Sequence, residues 1–251
     1  MKAGANNVNH SAVFFPGAGS FGLELRPLMD ALGSASWIVR YPGRHGRDFG
    51  VPAESFDGVV RACTEQITRR TPAGLVLFGH SFGAFVAYAT ASRLEEAGTE
   101  VTALIIAGAS APGRLRMPEQ ATRTPSDAAR YLDSIDPGAL ADAPSDDWRQ
   151  IVVETAVHDL RLLRQFDAAS STPVHCPIIA VFGDTDPLTS QVGVREWRNH
   201  TDGMFSMRRF AGGHSDFLRS SACSSWIREI RDNLDQRFSA TSATSAARTF
   251  R

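Results

Sequence analysis

The chain has 251 residues, 43% of them hydrophobic and 21% charged, which suits one α/β domain, or one with a small appendage, and a core that needs no disulfide staples. A formal net charge of −1 supplies no global field to recruit nucleic acid or an anionic membrane, and no window approaches the length of a membrane span. Three scattered cysteines, Cys63, Cys176 and Cys223, without C-x-x-C spacing, read as buried thiols of a reducing compartment; the opening MKAGANNVNHSAVFF lacks the apolar core of a signal peptide, so a cytoplasmic protein is expected.

Short apolar runs alternate with longer amphipathic ones. The predicted strands are 12–15, 37–41, 75–78, 101–107, 178–182 and 204–210, most of them dense in Val, Ile, Leu and Phe without clean alternation. That pattern belongs to strands buried on both faces of a parallel sheet. Helical patterning falls at 23–32, 56–69, 82–96, 192–199 and 221–238. Repeated βα units predict a mostly parallel, doubly wound sheet.

The first strand runs into FFPGAGSFG, residues 14–22, where Gly17, Gly19 and Gly22 complete a G-x-G-x-x-G. Such a loop cradles a pyrophosphate in dinucleotide-binding folds, but the acidic partner expected about 20 residues on is absent. The second strand ends instead in Arg40 and YPGRHGR. An arginine there suits a 2′-phosphate, so this point alone does not dismiss the dinucleotide reading.

The third strand decides between them. It passes directly into Gly79-His80-Ser81-Phe82-Gly83 and a helix of small and apolar residues. This is G-x-S-x-G in strand–turn–helix context, a nucleophile elbow: the tight turn strains the serine backbone, and strand and helix approach so closely that the flanking positions must lack side chains. Ser81 is then presented at a helix N-terminus, where free N–H groups favour developing negative charge.

After the fourth strand the rhythm breaks. Residues 111–174 are far longer than an ordinary connection, begin rich in Pro, Asp and Arg, and continue as a helical run over 148–166. They are expected to be a helical insertion over the sheet edge, a cap or lid, with plain core packing of its helix the alternative. Residues 1–110 and 175–238 then form the core, and the Ser/Ala/Thr-rich tail 239–251 is expected to be disordered.

A serine hydroxyl needs a base, and seven histidines compete for that role. His10, His45, His158, His175 and His200 have ordinary surface or structural readings, and His80 is expected to point the other way on the turn. His214, in FAGGHSDFL directly after the last strand, sits where two glycines let the chain fold back over the sheet edge. The third group, which orients the imidazole, comes from FGDTDPLT after the fifth strand: Asp186 is favoured, with Asp184 the other choice. The order Ser81, Asp186, His214 is that of α/β-hydrolases. In that fold the glycine-rich loop after the first strand and the residue after the nucleophile supply the oxyanion-hole N–H groups, so Ala18 and Phe82 are the expected donors, and the loop's anion is an oxyanion rather than a phosphate.

With FFPGAGSFG, YPGRHGR, GHSFGA, FGDTDP and GGHSDFL together, nearly the whole chain, from about residue 11 to 236, resembles the type II thioesterases of polyketide and nonribosomal peptide assembly lines. The resemblance implies an α/β-hydrolase fold with a helical lid matched by 111–174, and catalysis by Ser81, Asp186 and His214 with Ala18 and Phe82 at the oxyanion. It implies hydrolysis of acyl thioesters on the phosphopantetheine arm of acyl or peptidyl carrier proteins, in an editing role, with no cofactor and no metal. Product release, a general carboxylesterase or lipase, and a non-catalytic binding protein are the alternatives. Two departures bear on the acyl pocket: Ser215-Asp216-Phe217 follows the histidine loop where the family favours aromatics, and Phe82 stands where methionine is common. Carrier proteins are acidic near the arm, which suggests docking by Arg44, Arg47, Arg114 and Arg116, against the alternative of a solvated arginine-rich surface. No nucleic-acid or membrane partner is expected, and oligomeric state is left open with a monomer favoured.

Overall fold

The computed structural model describes residues 10–33, 35–70, 74–137, 140, 143–166 and 172–233; the tail expected at 239–251 lies outside them. Six strands, β1 (Ser11–Phe15), β2 (Ser36–Ile38), β3 (Leu75–His80), β4 (Val101–Ala107), β5 (Ile178–Gly183) and β6 (Phe205–Phe210), form one sheet in the order β2-β1-β3-β4-β5-β6. Every neighbouring pair is parallel. The helices are α1 (Arg26–Leu32), α2 (Phe56–Thr68), α3 (Phe82–Glu96), α4 (Pro125–Ile135), α5 (Asp146–Leu163), the short α6 (Gln191–Arg195) and a C-terminal α7 described over 221–233.

Strand residues alternate between two apolar cores. Val13, Phe15, Leu75, Leu77, Leu104 and Ile106 face α2 and α3, while Phe14, Val76, Phe78, Ile105 and Val181 face α1 and α7. Central strands covered on both sides have no polar face to show, hence their unbroken apolar runs. Full burial of each such Leu, Ile or Phe contributes roughly 1.5–3 kcal/mol.

The second strand is shorter than its apolar run predicts. Past Ile38, the Gln66 side chain on α2 takes over the backbone of Arg40, accepting its N–H at 3.0 Å and donating to its carbonyl at 2.8 Å. On this sheet edge a side-chain amide replaces the missing neighbour strand.

From β1 the chain steps outward to β2 and then returns to β3 on the other side of β1. Such a reversal opens a crevice at the carboxyl ends of the strands. Pairings of Phe15 with Gly79, His80 with Ala107 and Gly183 with Phe210 bring the loops after β1, β3, β5 and β6 to that same edge. Between β4 and β5, α4 and α5 build a small core of their own from Ala121, Ala128, Leu140, Val153, Val157 and Leu160, reaching down to Ala18. Thr124 and Ser145 start these two helices by accepting the N–H groups of Asp127 and Trp148.

Candidate active site

Ser81 is the only non-glycine with positive φ among the described residues, at φ 53° and ψ −119°. A backbone in that region costs about 1–3 kcal/mol and persists only where the surroundings enforce it. Here β3 and α3 do so. The Ser81 N–H is fixed to the Ala107 carbonyl at 2.8 Å, and a Cβ on Gly83 would overlap the Phe15 and Pro16 carbonyl oxygens. The Ser81 hydroxyl faces a cavity of about 470 Å³ and has no hydrogen-bond partner among the described residues.

His214 lines the same cavity. Its Nδ1 lies 3.0 Å from Oδ2 of Asp186, and both side chains are shielded from solvent, at 4% and 0% exposure. The other Asp186 oxygen accepts the Leu188 N–H at 2.9 Å, which holds the carboxylate in place. Asp184 is exposed and spent differently, accepting the Gly212 N–H at 2.9 Å to tie the loop after β5 to the loop after β6. The geometry therefore brings Asp186, not Asp184, to the imidazole. With Nδ1 as the donor to a carboxylate, Nε2 is the ring's free acceptor toward the cavity.

The Ala18 and Phe82 N–H groups have no acceptor among the described residues, whereas their neighbours are engaged: Ser20 N–H bonds to Gly17 carbonyl at 3.1 Å and Gly19 N–H to Asp159 at 2.7 Å. Two free amides beside an unpaired serine hydroxyl are the arrangement an oxyanion requires. The same facts weigh against a dinucleotide. A phosphate at the glycine loop would meet the buried Asp159 carboxylate, and the chain enters a 3-10 turn at Leu23–Leu25 before α1 begins at Arg26.

The expectation that His80 points away from the site is corrected. Its ring centre lies 4.9 Å from that of His214, and its Nε2 donates to the His214 carbonyl at 3.1 Å. Burial, and then the nearby His214, push its pKa down to about 3, so it is neutral. Its Nδ1 is buried without a partner. His80 thus braces the histidine loop, a role decided by a contact 134 residues distant that no local pattern announces.

Arg44 is a second correction. It is 4% exposed, so it offers no surface to a partner; its guanidinium is buried against Asp159 and the Ser20 carbonyl. Arg114 is exposed but clasped by Glu196, with Nε and Nη2 at 2.7–2.9 Å from its carboxylate oxygens. Arg47 is exposed on the loop after β2, and Arg116 is exposed at the cavity wall.

The chamber beyond Ser81 is mainly apolar, lined by Leu115, Met117, Leu132 and Leu163, with Tyr131 from α4 facing it. Phe82 sits on its wall, edge-on to Tyr41 and Phe56. Phe217, in the departing histidine loop, instead joins the core on the α1–α7 side. Sequence reasoning did not single out Tyr131, since α4 carries it; the capping pair Thr124 and Asp127 behind Pro125 was the signal for that helix.

A family model described as a thioesterase domain matches residues 12–234. The thioesterase PikA5 of Streptomyces venezuelae is 33% identical over 203 residues, 77% of this chain and 68% of that protein. A probable cadicidin biosynthesis thioesterase of Streptomyces griseus is 27% identical over 204 residues, 80% of this chain but 56% of that protein, so the chain spans little more than half of that relative's length. Among solved structures, the type II thioesterase BorB from the borrelidin biosynthetic cluster superposes with a TM-score of 0.77 at 27% identity, covering 90% of this chain and 92% of that one.

Proposed function

The chain belongs to the thioesterase domain family, on an α/β-hydrolase fold, and from that premise we propose that it hydrolyses acyl thioesters carried on the phosphopantetheine arm of acyl or peptidyl carrier proteins. Ser81 attacks the thioester carbonyl while His214 Nε2 takes its proton, and Asp186 balances the imidazolium that forms. The oxyanion settles against the Ala18 and Phe82 N–H groups. His214 returns the proton to the departing thiolate, leaving an acyl-serine. Water then adds with His214 again as base, and the free acid leaves as Ser81 is regenerated.

The observation that carries this reading is the Asp186–His214 pair opening on the same apolar cavity as the strained, unpartnered Ser81. A chamber of about 470 Å³ lies in the range of small-ligand sites and suits a short or medium acyl chain. An editing role, clearing stalled acyl groups from a biosynthetic assembly line, accords with the relatives' pathways. We further propose that α4 and α5 act as the lid over the arm's path. Among the described residues, no helix is long and apolar enough to cross a membrane.

Intact-protein mass spectrometry of a panel of acyl-carrier proteins tests the proposal. Wild type is expected to remove the acyl mass and leave the holo carrier, and Ser81→Ala to leave it loaded. Rapid turnover of p-nitrophenyl esters with every carrier thioester untouched would make this a carboxylesterase instead.

A further inference from the structure

The loop that offers the Ala18 N–H is held by α5, which lies between β4 and β5, and by the segment after β2. Gly19 donates its N–H to Asp159 Oδ2 at 2.7 Å. Arg44 donates to the Ser20 carbonyl through Nη1 and to the same Asp159 oxygen through Nη2. Three residues earlier in that segment, Tyr41 donates its hydroxyl to the Pro16 carbonyl at 3.1 Å, with its ring 4.5 Å from the Arg44 guanidinium carbon. The backbone is therefore tied at Pro16, Gly19 and Ser20, and Ala18 between them is left with its N–H free.

Contact between the loop and α5 is close. A Cβ on Gly19, at φ 71°, would stand 2.7 Å from the Val152 carbonyl oxygen and 2.8 Å from the Ala156 Cβ. Arg44 and Asp159 are each 4% exposed. Removing two charges from water offsets most of their attraction, so a buried ion pair is a poor device for stability alone. Its bonds to Gly19 and Ser20 are directional, and they act on peptide units just C-terminal to the hole's donor, while Tyr41 ties the Pro16 carbonyl on the other side. Burial pushes the Asp159 carboxyl above its ordinary range, opposed by Arg44 and the Gly19 N–H.

We infer that Arg44 and Asp159 are positioning residues that aim the Ala18 N–H at the oxyanion, so that the hole is complete only while α5 is seated against the glycine loop. The inference rests on the reading of Ala18 as an oxyanion donor. It assigns a task to the arginine of YPGR, buried rather than turned toward a partner, and to a carboxylate 115 residues away.

Asp159→Asn and Arg44→Lys test it, each in the full chain. Asn keeps an acceptor but leaves the guanidinium without its counter-charge; Lys keeps the charge but lacks the planar fork that spans both oxygens. Turnover is followed with an activated aryl ester, so the result does not depend on thioester preference. Affinity is measured for two acyl-chain analogues: a trifluoromethyl ketone, to which Ser81 adds reversibly to place an oxyanion in the hole, and an unreactive thioether that fills the chamber. Both variants are expected to lose about 10²-fold in kcat and a similar factor in ketone affinity, with KM and thioether affinity within about twofold of wild type. Wild-type kcat and ketone affinity in either variant, or equal losses for ketone and thioether, would overturn the inference. The double variant Arg44→Met/Asp159→Leu removes both charges at similar volume and guards against a folding defect. It is expected to melt no lower than wild type yet show the same kcat loss, and a fully active double variant would equally overturn the inference. A wild type that hydrolyses aryl esters but no thioester would contradict only the proposed function.

Discussion

Nδ1 of His214 lies 3.0 Å from Oδ2 of Asp186, and the second oxygen of that carboxylate is held by the Leu188 N–H. Two carboxylates two residues apart thus have separate work, because Asp184 braces the Gly212 N–H on the exposed side of the turn. Asp186→Asn is expected to lower kcat by about 10²–10⁴-fold, since an amide no longer fixes the tautomer or balances the imidazolium. Asp184→Asn is expected to stay within about threefold. Steady-state kinetics of the two variants side by side check this, and a larger loss at Asp184 would contradict the geometry.

The strain at Ser81 predicts a trade between stability and turnover. Glycine adopts φ 53° without a Cβ penalty. Ser81→Gly is therefore expected to abolish hydrolysis and to raise unfolding free energy by about 1 kcal/mol, the relief being partly offset by the freer unfolded chain. Urea denaturation measures the gain. A variant less stable than wild type would show that the elbow stores no strain.

Buried His80 predicts a pH dependence of stability. Its pKa is depressed to about 3 in the folded protein, while the unfolded chain takes up a proton near the ordinary value of about 6.5. The folded state therefore keeps its full stability above about pH 6.5 and loses about 1.4 kcal/mol per unit as pH falls from there toward 3. Glutamine donates to the same carbonyl and does not titrate. His80→Gln is expected to flatten the stability–pH slope over that window by about one proton, read from urea unfolding at several pH values. Parallel slopes for the two proteins would contradict it.

With Arg44 buried and Arg114 clasped by Glu196, Arg47 and Arg116 are the exposed cations left from the docking set. Arg47→Glu and Arg116→Glu are expected to raise KM for a carrier-bound thioester about five- to tenfold at low salt, an effect that fades as salt rises. KM for a short pantetheine thioester is expected to stay constant in Arg47→Glu, which lies outside the cavity lining. Unchanged carrier kinetics in both variants would retire this surface as a docking site.

What was legible in the sequence follows from where each constraint lies. The fourth strand and the helix after Ser81 occur where the sequence pattern predicts them, at Val101–Ala107 and Phe82–Glu96, because burial on all sides writes itself as an apolar run ended by a charge or a turn. The fold class followed from the repetition of such units. The elbow was legible because the close approach of Gly79 and Gly83 to neighbouring backbone excludes any side chain. The burial of Arg44 is not legible locally, because nothing nearby in the sequence reveals that its partner is Asp159, across the fold on α5. The orientation of His80 is hidden for the same reason: it depends on the loop after β6 closing over it. The second strand ends before its apolar run does because Gln66, not a strand, completes the backbone pairing at Arg40.

The central claim is that Ser81 carries the acyl group during turnover, and trapping that species is the most direct test. Wild type mixed with excess acyl-pantetheine thioester, quenched in acid within the first turnover and digested, is mapped by peptide mass. The account predicts the acyl mass on the peptide that contains Ser81, and neither this adduct nor hydrolysis in Ser81→Ala. Thioester hydrolysis at the wild-type rate by Ser81→Ala, or an acyl group found on another residue, would contradict it.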